Sequence, residues 1–273
     1  MARQVAHALA GAVWGAMKKP AKVVHVSGLR RSGNHACINW LANAIYGENV
    51  RHHGLGHYLF RSWPHGRVVF INSYAQERAS VLLRELWKHR DAIARCEYLF
   101  LGLEDAPPAF THFLLRGSRA IRIHVDRSIF NTMASRAKMM DRQARKSHSG
   151  TAVDFSLNAK LLEAAFADRR SAMLQWNYDQ WLQDPAWRKD FLAKLGLVHD
   201  ILPDMSTEGG GSSFAGSEKG FPAPGATARF LEQPVPQEWL TLVAGRFGDQ
   251  LTQLEQAQWE LIRSAGAGPH GAR

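Results

Sequence analysis

Cysteine is scarce in this chain of 273 residues: Cys37 and Cys96 are the only two. That excludes a disulfide scaffold, and two thiols in apolar stretches read as small core residues of a protein kept in a reducing, cytoplasmic compartment. Long hydrophobic runs are also missing. No stretch of about eighteen apolar residues occurs, so no transmembrane helix is expected. Acidic residues are in deficit, 24 Asp and Glu against 34 Lys and Arg. The resulting charge of +10 favours anionic partners: nucleotides, nucleic acid, acidic glycans or membrane surfaces.

Other familiar signals are absent. The histidines, including the His52 and His53 pair, have no metal-ligand spacing, so no metal site is expected. No Ser-His-Asp elbow occurs. Residues 1–20 contain an apolar stretch, but His7 interrupts it and Lys18 and Lys19 lie on the wrong side of it for a signal peptide. This segment reads as an amphipathic lead-in, and it is the part of the chain suited to peripheral membrane contact.

What is present is alternation. Short β-branched or aromatic runs at 23–26, 68–71, 98–103 and 121–125 read as strands, with helical patterns at 34–46, 77–90 and 129–140 between them. In the last of these, Phe130, Met133, Ala134 and Ala137 fall on one helical face. A further strand is expected at 173–178. Asp184, Pro185 and Gly196 punctuate a helix as N-cap, first residue and stop. The polar, basic stretch 141–158 is expected as a mobile loop, and 203–226, dominated by glycine and proline, as a long functional or disordered one. One helix is expected over 237–263. The pattern predicts an α/β fold, with a largely parallel sheet, in a single domain over residues 1–264 followed by a disordered tail at 265–273.

The most informative segment follows the first strand: Ser27-Gly28-Leu29-Arg30-Arg31-Ser32-Gly33-Asn34-His35. A glycine-bearing basic loop here feeds a helix N-terminus, whose partial positive charge and unpaired N–H groups favour an anion. Gly28 and Gly33 allow close backbone approach, and Arg30 and Arg31 add charge. The segment is not a Walker A motif: the second glycine comes one place early and no Gly-Lys-Ser/Thr follows. An ordinary kinase or NTPase is thereby disfavoured.

A second segment, Asp126-Arg127-Ser128 running on to Ser135, follows the strand at 121–125. Together the two resemble the sulfotransferases that use 3′-phosphoadenosine 5′-phosphosulfate (PAPS). In that family a [KR]-S-G-T-T/N-H loop holds the 5′-phosphosulfate, and Arg31-Ser32-Gly33-Asn34-His35 is similar to it. A strand-end Arg with Ser eight residues later holds the 3′-phosphate, which the resemblance places on Arg127 and Ser135. Eight residues of continuous helix would separate those two by roughly 12 Å, so the match requires Arg127 to lie in a loop ahead of the helix.

The run Trp176-Asn177-Tyr178-Asp179, then Asp184-Pro185 and a helix ending Leu195-Gly196-Leu197, resembles a further family segment in which the tyrosine lies near the adenine. Gly209-Gly210-Gly211-Ser212-Ser213 resembles the late loop over the nucleotide, with Gly210, Gly211, Ser212 and Ser213 as its backbone nest. The usual Arg-Lys-Gly of that loop is absent, and Lys219 and Arg229 are the candidate basic substitutes.

The resemblance implies a three-layer P-loop-like domain with a central, mainly parallel β-sheet flanked by helices. It implies sulfuryl transfer from PAPS to a hydroxyl or amine of a glycan or small molecule, with no obligatory nucleic acid partner. Arg31 would stabilise the leaving 5′-phosphate and His35 would bind or position. Glu104, a strand-end carboxylate shielded from water, is the first choice as general base, with Asp105 and His35 in reserve.

Two other readings stay open on the residues alone. One is an atypical nucleotide-dependent kinase, for which Glu104 and Asp105 form the acidic strand end. The other is a polyanion-binding protein using Arg116, Arg119, Arg122, Arg136, Lys138, Arg142, Arg145 and Lys146 as its footprint.

Overall fold

Apolar, β-branched segments that are covered on both sides pair as parallel strands, and this sequence supplies five of them. The computed structural model describes residues 22–51, 53–54, 60–74, 84, 86–105, 120–145, 155–203 and 227–266. Its elements in chain order begin with β1 (Lys22–Gly28), α1 (Asn34–Tyr46), β2 (His53–Gly54), β3 (Phe60–Ser62), β4 (Val68–Tyr74) and α2 (Arg90–Arg95). Then come β5 (Tyr98–Glu104), β6 (Ile121–Asp126), α3 (Ile129–Arg145), α4 (Ala159–Arg169), β7 (Leu174–Asn177) and α5 (Tyr178–Gln183). The chain continues through α6 (Pro185–Lys194), α7 (Arg229–Glu232), α8 (Gln237–Phe247) and α9 (Gln253–Gly266).

The sheet order is β2-β3-β4-β5-β1-β6-β7. Strands β4, β5, β1, β6 and β7 are parallel, whereas β2 and β3 form an antiparallel edge. Strand β1 is central, flanked by β5 and β6, so the chain reverses its direction of travel across the sheet there. In open α/β sheets the crevice at the carboxyl ends beside such a reversal is where ligands bind. The loop after β1 lies at that point.

Helices cover both faces, giving the expected three layers. Val24, Val26, Phe70 and Phe100 on one face pack with α1, α5 and α6 around Trp40, Trp176, Trp181 and Phe191. Trp176 and Trp181 stand 5.0 Å apart and Trp40 and Trp181 6.2 Å apart, ring centroid to centroid. Each such buried side chain contributes roughly 2–3 kcal/mol through the area it removes from water. The indole N–H of Trp40 is satisfied by Asp200, which also accepts from Arg188 at 2.8 Å. On the other face Leu99, Leu101 and Leu103 pack with Ile93 of α2. Leu29, Phe130, Met133, Leu162 and Trp239 build a further core among α3, α4 and α8. Cys37 and Cys96 are both buried, and among the described residues no helix is long and apolar enough to cross a membrane.

Several boundaries differ from expectation. Helix α3 runs through Arg145, because Arg142, Gln143 and Ala144 are good helix formers whatever their polarity. The stretch 141–145 is therefore helix rather than loop. The single helix expected over 237–263 is two, broken by a turn at Gly248–Gln250. Thr252 and Glu255 restart it as a reciprocal capping box, with Glu255 accepting from the Thr252 N–H at 3.0 Å and Thr252 Oγ1 accepting from the Glu255 N–H. Helix α9 then continues through Gly266, past the expected start of the tail. Asp184 caps α6 through the N–H groups of Ala186 and Trp187, as its position suggested. The segments 1–20, 204–226 and 267–273 and most of the 77–90 pattern lie outside the described residues.

His25 of β1 is buried, and neither ring nitrogen has a hydrogen-bond partner among the described residues. Burial, reinforced by the charge of Arg122, pushes its pKa down to about 4. The fold therefore holds it neutral while the unfolded chain takes a proton near the ordinary value of about 6.5. Stability is full above that value and falls as the pH drops towards 4, by about 2 kcal/mol between pH 7 and pH 5 from this residue. Urea unfolding at the two pH values should show His25→Leu losing less than the parent protein by that amount.

Candidate functional site

Strand β1 ends at Gly28, and five residues carry the chain into α1. Ser32 closes the loop by donating to the Leu29 carbonyl twice, from its N–H at 3.1 Å and its hydroxyl at 2.7 Å. A Cβ on Gly28 would lie 2.8 Å from the Val125 carbonyl oxygen and 2.9 Å from Ser32 Oγ. Gly33 caps α1 at φ +116°, a conformation side chains rarely adopt, and a Cβ there would lie 2.5 Å from the Tyr178 ring. Gly33→Ala should accordingly destabilise the protein by about 2–4 kcal/mol, combining left-handed strain with overpacking. In a denaturant-unfolding cycle, adding Tyr178→Ala should recover the overpacking part.

The first turn of α1 contains no acidic residue, and its glycine cap has no side chain to offer. The corresponding end of α3 differs. There Asp179 accepts from the Ser128 N–H at 3.2 Å and Glu255 from the Ile129 N–H at 2.7 Å. Carboxylates of the protein thus occupy one helix start, while arginines surround the other.

Those arginines are Arg31, Arg127 and Arg229. Arg127 lies in the loop between β6 and α3, the placement its spacing from Ser135 requires, and is 4 % exposed. It donates to the Arg31 carbonyl at 3.2 Å, and its guanidinium stands 4.5 Å from the centroid of the Tyr178 ring. Arg31, at φ +73°, donates from Nε to Ser135 Oγ at 3.2 Å. Burial lowers the Arg31 pKa; Glu104 offsets part of this, and the like charge of Arg127 adds to it. Arg229 on α7 is also buried, and burial followed by the charge of Arg127 pulls its pKa down to about 10. Three desolvated cations therefore feel one another around a single tyrosine. That arrangement favours a ligand carrying concentrated negative charge.

Glu104 closes β5 opposite Gly28 and accepts from Asn34 Nδ2 at 3.1 Å. The same Asn34 amide donates to the Leu29 carbonyl, so the carboxylate is tied to the loop. Asp105 does different work. Arg136 Nη1 donates to its two oxygens at 2.9 and 3.0 Å, the Arg30 N–H donates at 2.9 Å, and Arg30 Nε lies 3.8 Å away. Arg136 also donates to the carbonyls of Phe155 and Ser156. Arg136, completely buried, therefore belongs to an internal tie and not to a surface footprint for polyanions. Arg30 turns to Asp105 and the Phe155 ring. His35 faces Arg61 and Asn72.

No family model, curated protein or solved structure matches the chain. The site is therefore read from its own geometry, which brings Arg31, Ser32, Gly33, Asn34, Glu104, Arg127, Ser135, Tyr178 and Arg229 to one end of the sheet. Gly210, Gly211, Ser212, Ser213 and Lys219 lie outside the described residues. Arg169, Glu255 and Gln258 join the site without any sequence motif having pointed them towards it. Arg169 donates to Asp126 at 2.6 Å, to Glu255 at 2.8 Å and to the Arg127 carbonyl. Burial alone would lower the Arg169 pKa, but Asp126 and Glu255 outweigh it and hold the guanidinium charged. Gln258 bonds the Ser128 hydroxyl. Together these contacts fix the loop that carries Arg127.

Proposed function

We propose that this protein is a sulfotransferase that moves a sulfuryl group from PAPS to a hydroxyl or amine acceptor, a glycan or small molecule. The convergence of Arg31, Arg127, Ser135 and Arg229 around Tyr178, beside a helix start with no acidic residue, carries the reading. A donor with phosphate at two positions of its ribose fits such a spread of cations. Gly28 and Gly33 let the loop pack closely on Val125, Ser32 and Tyr178, which holds Tyr178 beside the helix start. When bound, the donor supplies the activated sulfuryl group.

This chain's residues would have to offset the charge that grows on a bound donor's leaving phosphate oxygen, by analogy with phosphoryl transfer. The N-terminus of α1 and the Arg31 guanidinium offset that charge electrostatically. A guanidinium stays protonated, so Arg31 acts as a cation and not as a proton donor to the leaving oxygen. Arg127 and Ser135 hold the second phosphate, and Tyr178 offers its ring to the base. Glu104, held by Asn34, takes the proton from the acceptor.

Glu104→Gln tests this division of labour. General-base removal should lower sulfuryl transfer from PAPS, measured across a panel of hydroxyl and amine acceptors, by about 10²–10⁴-fold. Adenosine 3′,5′-bisphosphate should still raise the melting temperature of that variant as it does the parent's. Transfer at the parental rate would remove Glu104 from the base role.

A further inference from the structure

Arg61, His35 and Asn72 meet on the sheet face that carries α1, beside the carboxyl ends of β4 and β5. Arg61 of β3 is buried, crosses the face of Phe70 at 5.6 Å and points Nη1 at His35 Nδ1, 3.5 Å away. His35, in the first turn of α1, sets its ring edge-on to Phe70, with centroids 5.7 Å apart. Its other nitrogen, Nε2, lies 3.3 Å from Asn72 Nδ2. Asn72 itself is buried, and a Cβ on the facing Gly102 would lie 3.1 Å from its oxygen.

The chemistry of the three groups fixes where the protons are. A guanidinium has donors and no acceptor, so His35 Nδ1 must accept from it. A neutral imidazole that accepts at Nδ1 carries its proton on Nε2. That proton would face the Asn72 Nδ2 donor, so the tautomer requires the amide to be turned by half a rotation, its oxygen to Nε2, an assignment that the hydrogen-bond network and not the atom positions decides. We infer that Arg61 locks His35 in the Nε2–H tautomer, with Asn72 as the second clamp, making His35 a hydrogen-bond donor rather than a proton acceptor.

The functional consequence rests on the sulfotransferase reading. Of the two groups at the acceptor side of α1, Nδ1 of His35 is covered by a cation and Nε2 already carries a proton. Proton removal falls to Glu104. Arg61 and Asn72 are then positioning residues, acting on the site through His35.

Nitrogen-15 labelling of histidine tests the lock without donor or acceptor. Long-range proton–nitrogen correlation at pH 8 distinguishes a bare ring nitrogen from a protonated one, and loss of one signal set in His35→Gln assigns the residue. The parent protein should show Nδ1 bare and Nε2 protonated. Arg61→Met should convert this to a mixture of tautomers, and Arg61→Lys, which keeps a cationic donor, should retain the parental pattern. A protonated Nδ1 in the parent overturns the inference, as does an unchanged pattern in Arg61→Met. The parental spectrum decides even if that variant does not fold. Absence of a bisphosphate effect on melting would sink the sulfotransferase reading and leave the tautomer result standing.

Discussion

Asp105→Ala should cost about 3–5 kcal/mol of stability, more than an ordinary loop substitution, because it strands buried charge. Arg136 is completely buried and Arg30 nearly so, and both turn to the Asp105 carboxylate. Removing the anion leaves Arg136 bonded to backbone carbonyls, those of Phe155, Ser156 and Arg30. Asp105 also sits at φ +56°, where aspartate and asparagine are tolerated far better than alanine. Asp105→Asn keeps that backbone preference and loses the charge, so it should fall between the parent and Asp105→Ala. Adding Arg136→Leu to Asp105→Ala should recover part of the loss, since the Arg136 guanidinium is then no longer buried without its anion, while buried Arg30 still lacks the Asp105 carboxylate. Equilibrium urea unfolding of the four proteins measures this directly. A loss below about 1 kcal/mol for Asp105→Ala would mean that the tie is ornamental.

Arg127→Ala should separate stability from binding. In the free protein Arg127 presses on two other cations, lowering the pKa of Arg31 and Arg229 after burial has done so. Its loss relieves that repulsion but forfeits favourable contacts, among them the bond to the Arg31 carbonyl, the contact with Tyr178 and the attraction to Asp179. The two effects oppose each other, so the loss of stability should be smaller than the loss of binding. Binding has no such compensation. Truncating one partner of a buried charge pair costs about 2–4 kcal/mol, which raises the Kd for adenosine 3′,5′-bisphosphate by a factor of about 30 to 1,000. Titration calorimetry on the variant, with its unfolding curve as a control, reads both quantities. Parental affinity would remove Arg127 from the phosphate site.

The parts of this site that were legible in sequence are those made by neighbours along the chain. The Gly28 to His35 loop shows its glycines, its cations and its helix in one stretch, and Arg127 stands immediately ahead of a helical pattern. The parts that were hidden are ties between distant segments. Arg136 looks like one more basic residue on a polar helix, and only the tertiary fold turns it inward to Asp105. Arg61 and His35 lie 26 positions apart, with nothing in their spacing to connect them. Glu255 is a partial exception: Thr252-Gln253-Leu254-Glu255 has the form of a capping box, which marks the start of α9 but not the reach of its glutamate to α3 and Arg169.

The same contrast explains the misread C-terminal helix. The apolar stripe of Trp239, Leu242, Val243 and Phe247 is followed at helical spacing by Leu251 and Leu254, so periodicity persists in the sequence where the backbone turns. Gly248 followed by Asp249 was the local sign of that turn.

Melting temperature is the most direct probe of the central assignment, since a ligand that binds only the native state raises it, by an amount that grows with the logarithm of ligand concentration over Kd. Parallel scans with adenosine 3′,5′-bisphosphate, with ATP and magnesium, and with a single-stranded oligonucleotide place the three anion classes side by side. The bisphosphate should give the largest rise, and Arg127→Ala or Ser135→Ala should reduce it. Stabilisation by the oligonucleotide or by ATP and magnesium, with none from the bisphosphate, would contradict the account.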